Sequence, residues 1–286
     1  METARRSRTA EGAAFLRALH RHVDGTPWVF EDAAVETLLP IPSQHFLRRL
    51  DALNRSWIAA FRRRRGALDS MRAQIVVRAR YAEDALAALA PSQYLILAAG
   101  LDTYALRHRR GDLQVFEVDH PATQAWKRSL LSAPPEHLSF VPVDFERSTL
   151  AEALTATEFD REQRTFVSWL GTTYYLSRDA IAETLRGVRE RTPSGTRLVL
   201  DYWNEAPISD GRATALLAGT RLATAFQSEP IRSLFAPAEM ERLVREAGWS
   251  IREHLAPVIQ NARYLAGRTD GLAVPSFAYL IQLELP

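Results

Sequence analysis

The residues whose types and spacing suit chemistry follow two short apolar runs of the chain. The first run, Tyr94 to Leu97, leads into Gly100, and the second ends in Glu117 and Asp119, almost twenty residues after that glycine. A glycine at the first strand-to-helix turn lets a ligand approach the backbone closely. An acidic residue at the end of the second strand suits the paired hydroxyls of a ribose. Together these features predict a cofactor that carries a nucleoside.

The turn between these runs also indicates which nucleoside cofactor is favoured. A pyrophosphate needs a turn with three glycines, which brings backbone amides and a helix N-terminus onto its charge. Here Gly100 is the one glycine of the turn, and Asp102 near the helix start would repel a diphosphate. The same carboxylate tolerates a sulfonium, so the sequence favours S-adenosylmethionine over NAD and FAD. Taken alone, the pattern is equally typical of an ordinary strand–turn–helix.

Four segments, in this order, resemble motifs of the leucine carboxyl methyltransferase family of S-adenosylmethionine-dependent enzymes. They are Arg78 to Asp84, Ala99 to Thr103, Phe116 to Pro121 and Ser168 to Leu176. The resemblance covers nearly the whole chain, and the bacterial branch that includes polyketide O-methyltransferases is the most similar. It implies a Rossmann-like class I methyltransferase sheet and S-adenosyl-L-methionine as the cofactor, which becomes S-adenosyl-L-homocysteine after methyl transfer.

The resemblance also implies which residues hold the cofactor. Arg78 would bind the methionine carboxylate through a two-pronged contact, Gly100 would pass under the methionine part, and Asp119 would bind the ribose hydroxyls. Asp144 and Phe145 would hold the adenine, although Asp144 also suits a helix N-cap. The complete expected set is Arg78, Ala99, Gly100, Asp102, Glu117, Asp119, His120, Asp144, Phe145, Trp169 and Leu170.

Three positions depart from the family pattern. The family often has a second glycine where Ala98 stands and an arginine where Tyr104 stands. Its eukaryotic protein-methylating members have a glutamate where Leu170 stands, and this third departure argues against transferring their protein substrate to this chain.

The acceptor oxygen decides whether a general base is needed. A carboxylate is already ionised at pH 7, whereas a phenol with a pKa near 10 would benefit from a base. His20, His22 and Tyr174 are the candidate bases, and none is assigned. Aromatic residues after strands suit a flat apolar acceptor, and a late arginine suits an acceptor carboxylate. The expected acceptor-binding residues are Trp28, Trp169, Tyr174, Tyr202, Arg221 and Arg263, although such rings are also typical of the core and such arginines of the surface.

The elements that must position these residues alternate between strands and helices, which indicates an α/β fold with a mostly parallel sheet. Strands are predicted at 94–97, 115–118, 138–143, 165–169, 197–202, 249–255 and 278–285, the last antiparallel. Residues 1–90 are predicted to form an N-terminal helical cap. Residues 91–286 are predicted to form the cofactor-binding domain, with substrate-cap helices inserted near 204–235 and the whole forming one compact unit.

Composition narrows the function classes. The 286 residues contain no cysteine, which excludes disulfides, thiol nucleophiles and thiolate metal sites. The net charge is only +2, and we interpret the arginine run at 62–65 as a solvated helix face. We therefore expect no nucleic-acid partner. We also expect no helix that spans a membrane. We predict that the protein uses no metal, acts on a small-molecule acceptor and is located in the cytoplasm. The sequence does not indicate its oligomeric state.

Three other functions compete with a small-molecule O-methyltransferase. A nucleotide-binding oxidoreductase should have the three-glycine turn, which is missing. A protein that binds S-adenosylmethionine for a role other than methylation is compatible with the sequence, because methyl transfer needs few indispensable side chains. The hypothesis of protein carboxyl or nucleic-acid methylation is supported mainly by the activity of distant relatives and by the many arginines.

Overall fold

A seven-stranded sheet forms the centre of the computed structural model, which describes residues 7–52, 66–108, 111–144, 149–204, 210–226 and 229–286. The strands are β1 (Gln93–Leu97), β2 (Gln114–Asp119), β3 (Leu138–Pro142), β4 (Thr165–Trp169), β5 (Arg197–Trp203), β6 (Ser250–Leu255) and β7 (Ala278–Glu284). Each matches a predicted strand to within a few residues.

The strand order is β3-β2-β1-β4-β5-β7-β6. Strands β1 to β5 are parallel, and β7 lies antiparallel between β5 and β6. The predicted fold class, a mostly parallel Rossmann-like sheet with an antiparallel C-terminal strand, is therefore confirmed. The chain leaves β1 toward β2 on one side and returns to β4 on the other, so the strand order reverses between β1 and β4. Ligands of such sheets bind beyond the carboxyl ends of the strands at this point.

Helices cover both faces of the sheet, which explains why every residue of β1 and β4 is buried. The helices are α1 (Arg8–Val23), α2 (Ile41–Ala52), α3 (Ala67–Leu89), α4 (Tyr104–Arg107), α5 (Pro121–Leu130), α6 (Leu150–Thr155), α7 (Arg178–Arg191), α8 (Gly211–Phe226), α9 (Pro237–Glu246) and α10 (Pro257–Tyr264). Short 3₁₀ helices span Ala34–Leu38 and Thr173–Tyr175. None of these described helices combines the length and the apolar character that crossing a bilayer requires.

Alternate strand residues enter two separate cores. Tyr94, Phe166 and Val199 pack with α3 on one face of the sheet. Leu95 and Val167 pack on the opposite face, together with residues of α7 and α9. Since side chains alternate across a strand, this phasing decides which residues at the strand ends reach a site on the α3 side. The division of the chain at residue 90 stays a prediction.

Candidate functional site

A cavity of about 1180 Å³ opens at the carboxyl ends of the parallel strands. It is lined by the loops after β1 and β4, by Asp119 at the end of β2 and by Trp203 at the end of β5. Residues of α1, α3 and α8 form its walls, together with residues 271 and 273–275. The cavity therefore lies where the reversal of strand order predicts a ligand site.

The turn after β1 brings Gly100 and Asp119 together. Gly100 has a φ of +52°, and its amide donates a hydrogen bond to Asp119 Oδ2 at 2.5 Å. Asp119 Oδ1 accepts from the His120 amide at 2.6 Å. Burial raises the pKa of Asp119, and the two amide hydrogen bonds oppose that rise. Ala99 and Asp102 line the cavity beside this pair, so the structure gathers four of the predicted cofactor residues at one end.

Helix α1 covers this turn closely. A Cβ added at Gly100 would lie 3.1 Å from Ala10 Cβ, so α1 leaves little space above the glycine. Arg17 of α1 donates from Nη2 to the Leu101 carbonyl at 2.6 Å, and its Nε pairs with buried Asp32 at 2.7 Å. These contacts hold α1 over the cofactor end of the cavity.

Arg78 reaches the cavity from α3. Its Nη1 donates to Asp201 Oδ2 at 2.9 Å and to the Tyr174 hydroxyl at 3.2 Å. Burial lowers the pKa of Arg78, but the Asp201 carboxylate and the Tyr174 hydroxyl together outweigh that effect and keep the pKa above its usual value. Arg78 is therefore a permanent cation in the cavity wall, and Leu170 lines the same wall.

Tyr174 contributes an aromatic surface to the cavity. Its ring stacks on Trp203 with the centroids 4.0 Å apart and the planes 20° apart, and both rings line the cavity beside Tyr175. Burial raises the pKa of Tyr174, so its phenol stays protonated at neutral pH. As a candidate base Tyr174 is therefore unsuited, whereas its predicted place beside the acceptor agrees with the geometry.

Two predicted aromatic contacts are wrong because they point to the other face of the sheet. Trp169 is fully buried in the core under α7, and its neighbour Ser168 lines the cavity instead. Tyr202 is also fully buried on that face, with its hydroxyl 2.6 Å from His254 Nε2. Its neighbour Trp203 borders the cavity from the α3 side, although only 1% of it is exposed. In each strand, the residue that borders the cavity is the immediate neighbour of the predicted one, because adjacent side chains of a strand point to opposite faces of the sheet.

Glu117 is a further correction among the predicted cofactor residues. It projects from the same face of β2 as Asp119 but lies one pleat deeper, outside the cavity lining. Lys127 of α5 reaches it there, with Nζ 2.5 Å from Glu117 Oε2, and donates also to the Asp102 carbonyl. Burial raises the pKa of Glu117 to about 7, against the opposing charge of Lys127. Lys127 therefore links Glu117 to the loop around Asp102, and Glu117 itself lies outside the cavity lining.

The remaining predicted cofactor residues after β2 and β3 are His120, Asp144 and Phe145, and the structure places neither His120 nor Asp144 in the cavity lining. His120 lies at the N-terminus of α5, where its Nδ1 accepts from the Ala122 amide, and it does not line the cavity. Asp144 also lies outside the lining, with Oδ2 3.9 Å from His120 Nε2. Thr149, rather than Asp144, is the N-cap of α6. Phe145 lies outside the described residues.

The two candidate histidines are both away from the cavity. His20 is fully buried, its Nε2 accepts from the Val29 amide, and its Nδ1 lies 2.7 Å from Asp24. His22 pairs with Glu36 at 3.1 Å. The apolar spacing of α1 turns both rings away from the site, so neither is positioned to act on an acceptor there.

Three predicted acceptor contacts also lie elsewhere. Trp28 packs beneath the guanidinium of Arg21, 5.4 Å from its ring centroid, rather than in the cavity. Arg221 is exposed on α8, and Arg263 forms a surface ion pair with Glu253. The structure therefore does not bring these three residues to the cavity lining, and their contact with an acceptor stays a prediction.

Charges of both signs line the cavity. The described lining residues include Arg8, Arg17, Arg78, Arg107, Arg212 and Arg232, and also Asp69, Glu83, Asp102, Asp119, Asp210 and Glu229. Neither histidine nor lysine is among them. Within the described ranges, no three carboxylates or histidines cluster so that they could hold a metal ion. The involvement of a metal therefore stays a matter of prediction.

Comparison with known proteins gives consistent matches over the chain. The sequence profile of the leucine carboxyl methyltransferase family matches residues 10–189. YktD of Bacillus subtilis strain 168, named as an inferred S-adenosyl-L-methionine-dependent methyltransferase, is 33% identical over 282 residues. That match covers 91% of this chain and 92% of the relative.

Two crystal structures share the fold at low sequence identity. A protein from Thermobifida fusca YX, described as an inferred methyltransferase, aligns with a TM-score of 0.58 at 15% identity over 96% of this chain and 94% of its own. A DUF574 family protein from Streptomyces avermitilis MA-4680 aligns with a TM-score of 0.56 at 15% identity, over 95% and 97%. With these motifs, this sheet and these relatives, the chain belongs to the leucine carboxyl methyltransferase family of S-adenosyl-L-methionine-dependent methyltransferases.

Proposed function

We propose that this chain is an O-methyltransferase that transfers the methyl group of S-adenosyl-L-methionine to an oxygen of a small, largely apolar acceptor of the aromatic polyketide type. One observation carries the proposal: a single cavity joins the Gly100–Asp119 turn to a wall of stacked aromatic rings. A cofactor bound at the turn and an acceptor against the rings would share that space.

The size of the cavity supports two occupants. Pockets for a single drug-sized ligand measure roughly 300–1,000 Å³, and this cavity measures about 1180 Å³. Its aromatic wall comprises Tyr174, Tyr175 and Trp203. Apolar residues of α3 and α8, Ile75 and Leu216 among them, continue the wall. Such a lining suits a flat, apolar molecule better than a nucleic-acid strand, and we expect the protein to act in the cytoplasm.

The residues at the turn fit the cofactor. The backbone at Gly100 leaves the surface open to close approach, and Asp119 supplies acceptor oxygens for ribose hydroxyls. The Arg78 cation would bind the methionine carboxylate. When bound, S-adenosyl-L-methionine supplies an electrophilic methyl group on a sulfonium.

The chain contributes placement rather than proton transfer. Methyl transfer is an in-line displacement in which the acceptor oxygen bonds to the methyl carbon while the carbon–sulfur bond breaks and its electron pair stays on sulfur. The walls would hold the two reactants in line and exclude water, which is a large part of such a rate enhancement.

The described lining favours a carboxylate as the acceptor over a phenol. It contains no histidine, and the buried Tyr174 phenol keeps its proton. A carboxylate needs no base because it is ionised at neutral pH. Arg8, Arg212 and Arg232 line the same cavity and would attract an anionic acceptor.

Calorimetric titration with S-adenosyl-L-homocysteine, beside NAD, tests the cofactor. Binding of the former alone is expected, and binding of NAD instead would contradict the site. Matched pairs of aromatic acids and phenols with the same ring system are then incubated with S-adenosyl-L-methionine, and products are followed by a mass gain of one methylene. Methylation of the acids supports the proposal. Cofactor binding with no methylated product would favour a role other than methylation, and methylation of proteins alone would favour a protein carboxyl methyltransferase.

A further inference from the structure

Asp201 is a buried carboxylate at the end of β5 that ties together three segments of the site. Its Oδ1 accepts from the Gly171 amide at 2.5 Å, and its Oδ2 accepts from Arg78 Nη1 at 2.9 Å and from Gln74 Nε2 at 3.3 Å. Only 1% of Asp201 is exposed, and it does not line the cavity. Asp201 therefore makes no direct contact with a ligand in the cavity, whereas its partner Arg78 lines that cavity.

The main partner, Arg78, is held from three directions. Asp201 and the Tyr174 hydroxyl both accept hydrogen bonds from Nη1. On a third side the guanidinium packs against Gly171, where an added Cβ would lie 2.6 Å from Nη2. Gly171 has a φ of +80°, so a glycine suits both the backbone and the contact. Because the guanidinium is planar and rigid, holding one of its nitrogens between two acceptors fixes the orientation of the whole group.

We propose that Asp201 is a positioning residue for the carboxylate end of the cofactor. It sets the direction in which Arg78 offers its remaining N–H groups to the cavity, and through the Gly171 amide it also fixes the loop that forms the adjoining wall. The inference rests on the proposed role of Arg78, and it names the residue on which the orientation of Arg78 depends.

A simple counter-ion role makes the opposite prediction. If Asp201 only neutralised Arg78, it would compete with a ligand carboxylate, and loss of its charge would tighten binding of that ligand. If Asp201 positions Arg78, Asp201→Asn turns an N–H₂ donor toward either Gly171 N or Arg78 Nη1, both of which are donors. One of the two partners must then move, and binding of the ligand carboxylate weakens.

The test compares two ligands that differ in the amino-acid part. Dissociation constants for S-adenosyl-L-homocysteine and for methylthioadenosine, which lacks the carboxylate, are measured by calorimetry for the wild type, Asp201→Asn, Arg78→Ala and the double variant. We expect Asp201→Asn to reduce the preference for S-adenosyl-L-homocysteine by about ten-fold, the scale of one hydrogen bond to a charged group. In the Arg78→Ala background it should reduce that preference no further.

Several results would overturn the proposal. They are an unchanged preference in Asp201→Asn, equal losses for both ligands, tighter binding of S-adenosyl-L-homocysteine, or an undiminished effect in the Arg78→Ala background. Asp201→Ser, which removes both carboxylate oxygens without adding an N–H₂ group, carries the same expectation if the asparagine variant does not fold.

A matched control comes from a second buried aspartate–arginine pair, whose arginine lies on the same helix as Arg78. Asp24→Asn alters another buried aspartate–arginine pair, Asp24 with Arg72 of α3, away from the cavity. It should lower thermal stability without changing the ligand preference. If the wild type does not bind S-adenosyl-L-homocysteine, the proposed function fails; if it binds with a preference that Asp201→Asn leaves intact, only the role of Asp201 fails.

Discussion

At the scale of single residues, Asp119 both closes its own turn and faces the cavity. Its two oxygens accept amide hydrogen bonds from Gly100 and His120, and the same oxygens are those expected to accept from the ribose. The carboxylate is thus preorganised for a ligand, because its orientation is fixed by the backbone before the ligand arrives.

Asp119→Ala should weaken binding of S-adenosyl-L-homocysteine by roughly ten- to a hundred-fold, since a loss of about 1.5–3 kcal/mol is the scale of hydrogen bonds to a charged group. Calorimetry measures the change. Glu183→Ala, at an exposed position of α7, is the matched control and should bind as the wild type does. Unchanged affinity in Asp119→Ala would contradict the assignment of the cofactor end.

Ala98 and Gly100 form a matched pair two residues apart. Both have left-handed backbones, with φ of +53° and +52°, but only one is a glycine. A left-handed conformation costs a non-glycine residue roughly 1–2 kcal/mol, and a glycine at the same position avoids this cost. A glycine also loses more conformational entropy on folding than an alanine does, which cancels part of the gain. We expect Ala98→Gly to keep or raise the free energy of unfolding, by up to about 1 kcal/mol.

Gly100→Ala should behave in the opposite way. The new Cβ would lie 3.1 Å from Ala10 Cβ on a backbone that disfavours it, so both stability and cofactor affinity should fall. Urea unfolding and calorimetry measure the two effects. A Gly100→Ala variant as stable as Ala98→Gly would show that α1 does not press on this turn.

At the scale of elements, the phase of β4 and β5 decides which aromatic rings reach the ligand. Trp203 shares a face with Asp201 and stacks on Tyr174 in the cavity, whereas Trp169 is buried on the other face of the sheet. Residues two apart on a strand share a face, so the end of β5 supplies both the support for Arg78 and the aromatic wall.

Trp203→Ala and Trp169→Ala should therefore differ in kind. Trp203→Ala should reduce the rate of acceptor methylation more than binding of S-adenosyl-L-homocysteine, because it removes one ring of the stacked pair in the cavity wall. Since Trp203 is only 1% exposed, this truncation should also lower the free energy of unfolding, so the rates are compared per folded molecule. Trp169→Ala should lower the free energy of unfolding by roughly 3–5 kcal/mol, as a large core truncation does. Methylation assays and urea unfolding separate the two. Acceptor turnover that depends more on Trp169 than on Trp203 would contradict the phase described here.

At the scale of the whole molecule, the buried Glu117–Lys127 pair couples stability to pH. Burial raises the pKa of Glu117 from 4.5 to about 7 in the folded state. Between these values the folded protein binds more protons than the unfolded chain, so stability falls as pH rises. The contribution of a protonated Glu117 is complete below about pH 4.5 and lost above about pH 7.

Glu117→Gln should flatten this dependence. Between about pH 5 and pH 7, the free energy of unfolding of the wild type should fall more steeply than that of the variant, by roughly 1 kcal/mol per pH unit. Urea titrations at several pH values measure both slopes. Exposed Glu183→Gln is the control and should keep the wild-type slope. Parallel slopes in the wild type and in Glu117→Gln would show that Glu117 is ionised throughout the range.

The sequence predicts the sheet and one end of the site because their signals are local. Apolar runs between turns mark the strands, and Gly100 and Asp119 end two of them. The wrong predictions at Trp169 and Tyr202 have one cause: strands buried on both faces are apolar without alternation, so the sequence carries no phase for them. Asp201 is not predicted from the sequence, because its role depends on Arg78, which lies 123 residues away along the chain.

The burial of Lys127 has a practical consequence. It is the one lysine in the sequence, and only 1% of it is exposed. Amine-directed reagents would therefore find no reactive side chain on the folded protein, while unfolding would uncover one. Labelling at Lys127, distinguished from labelling of the N-terminal amine by mass spectrometry of peptides, would measure the fraction of unfolded molecules and its decrease as a ligand is added.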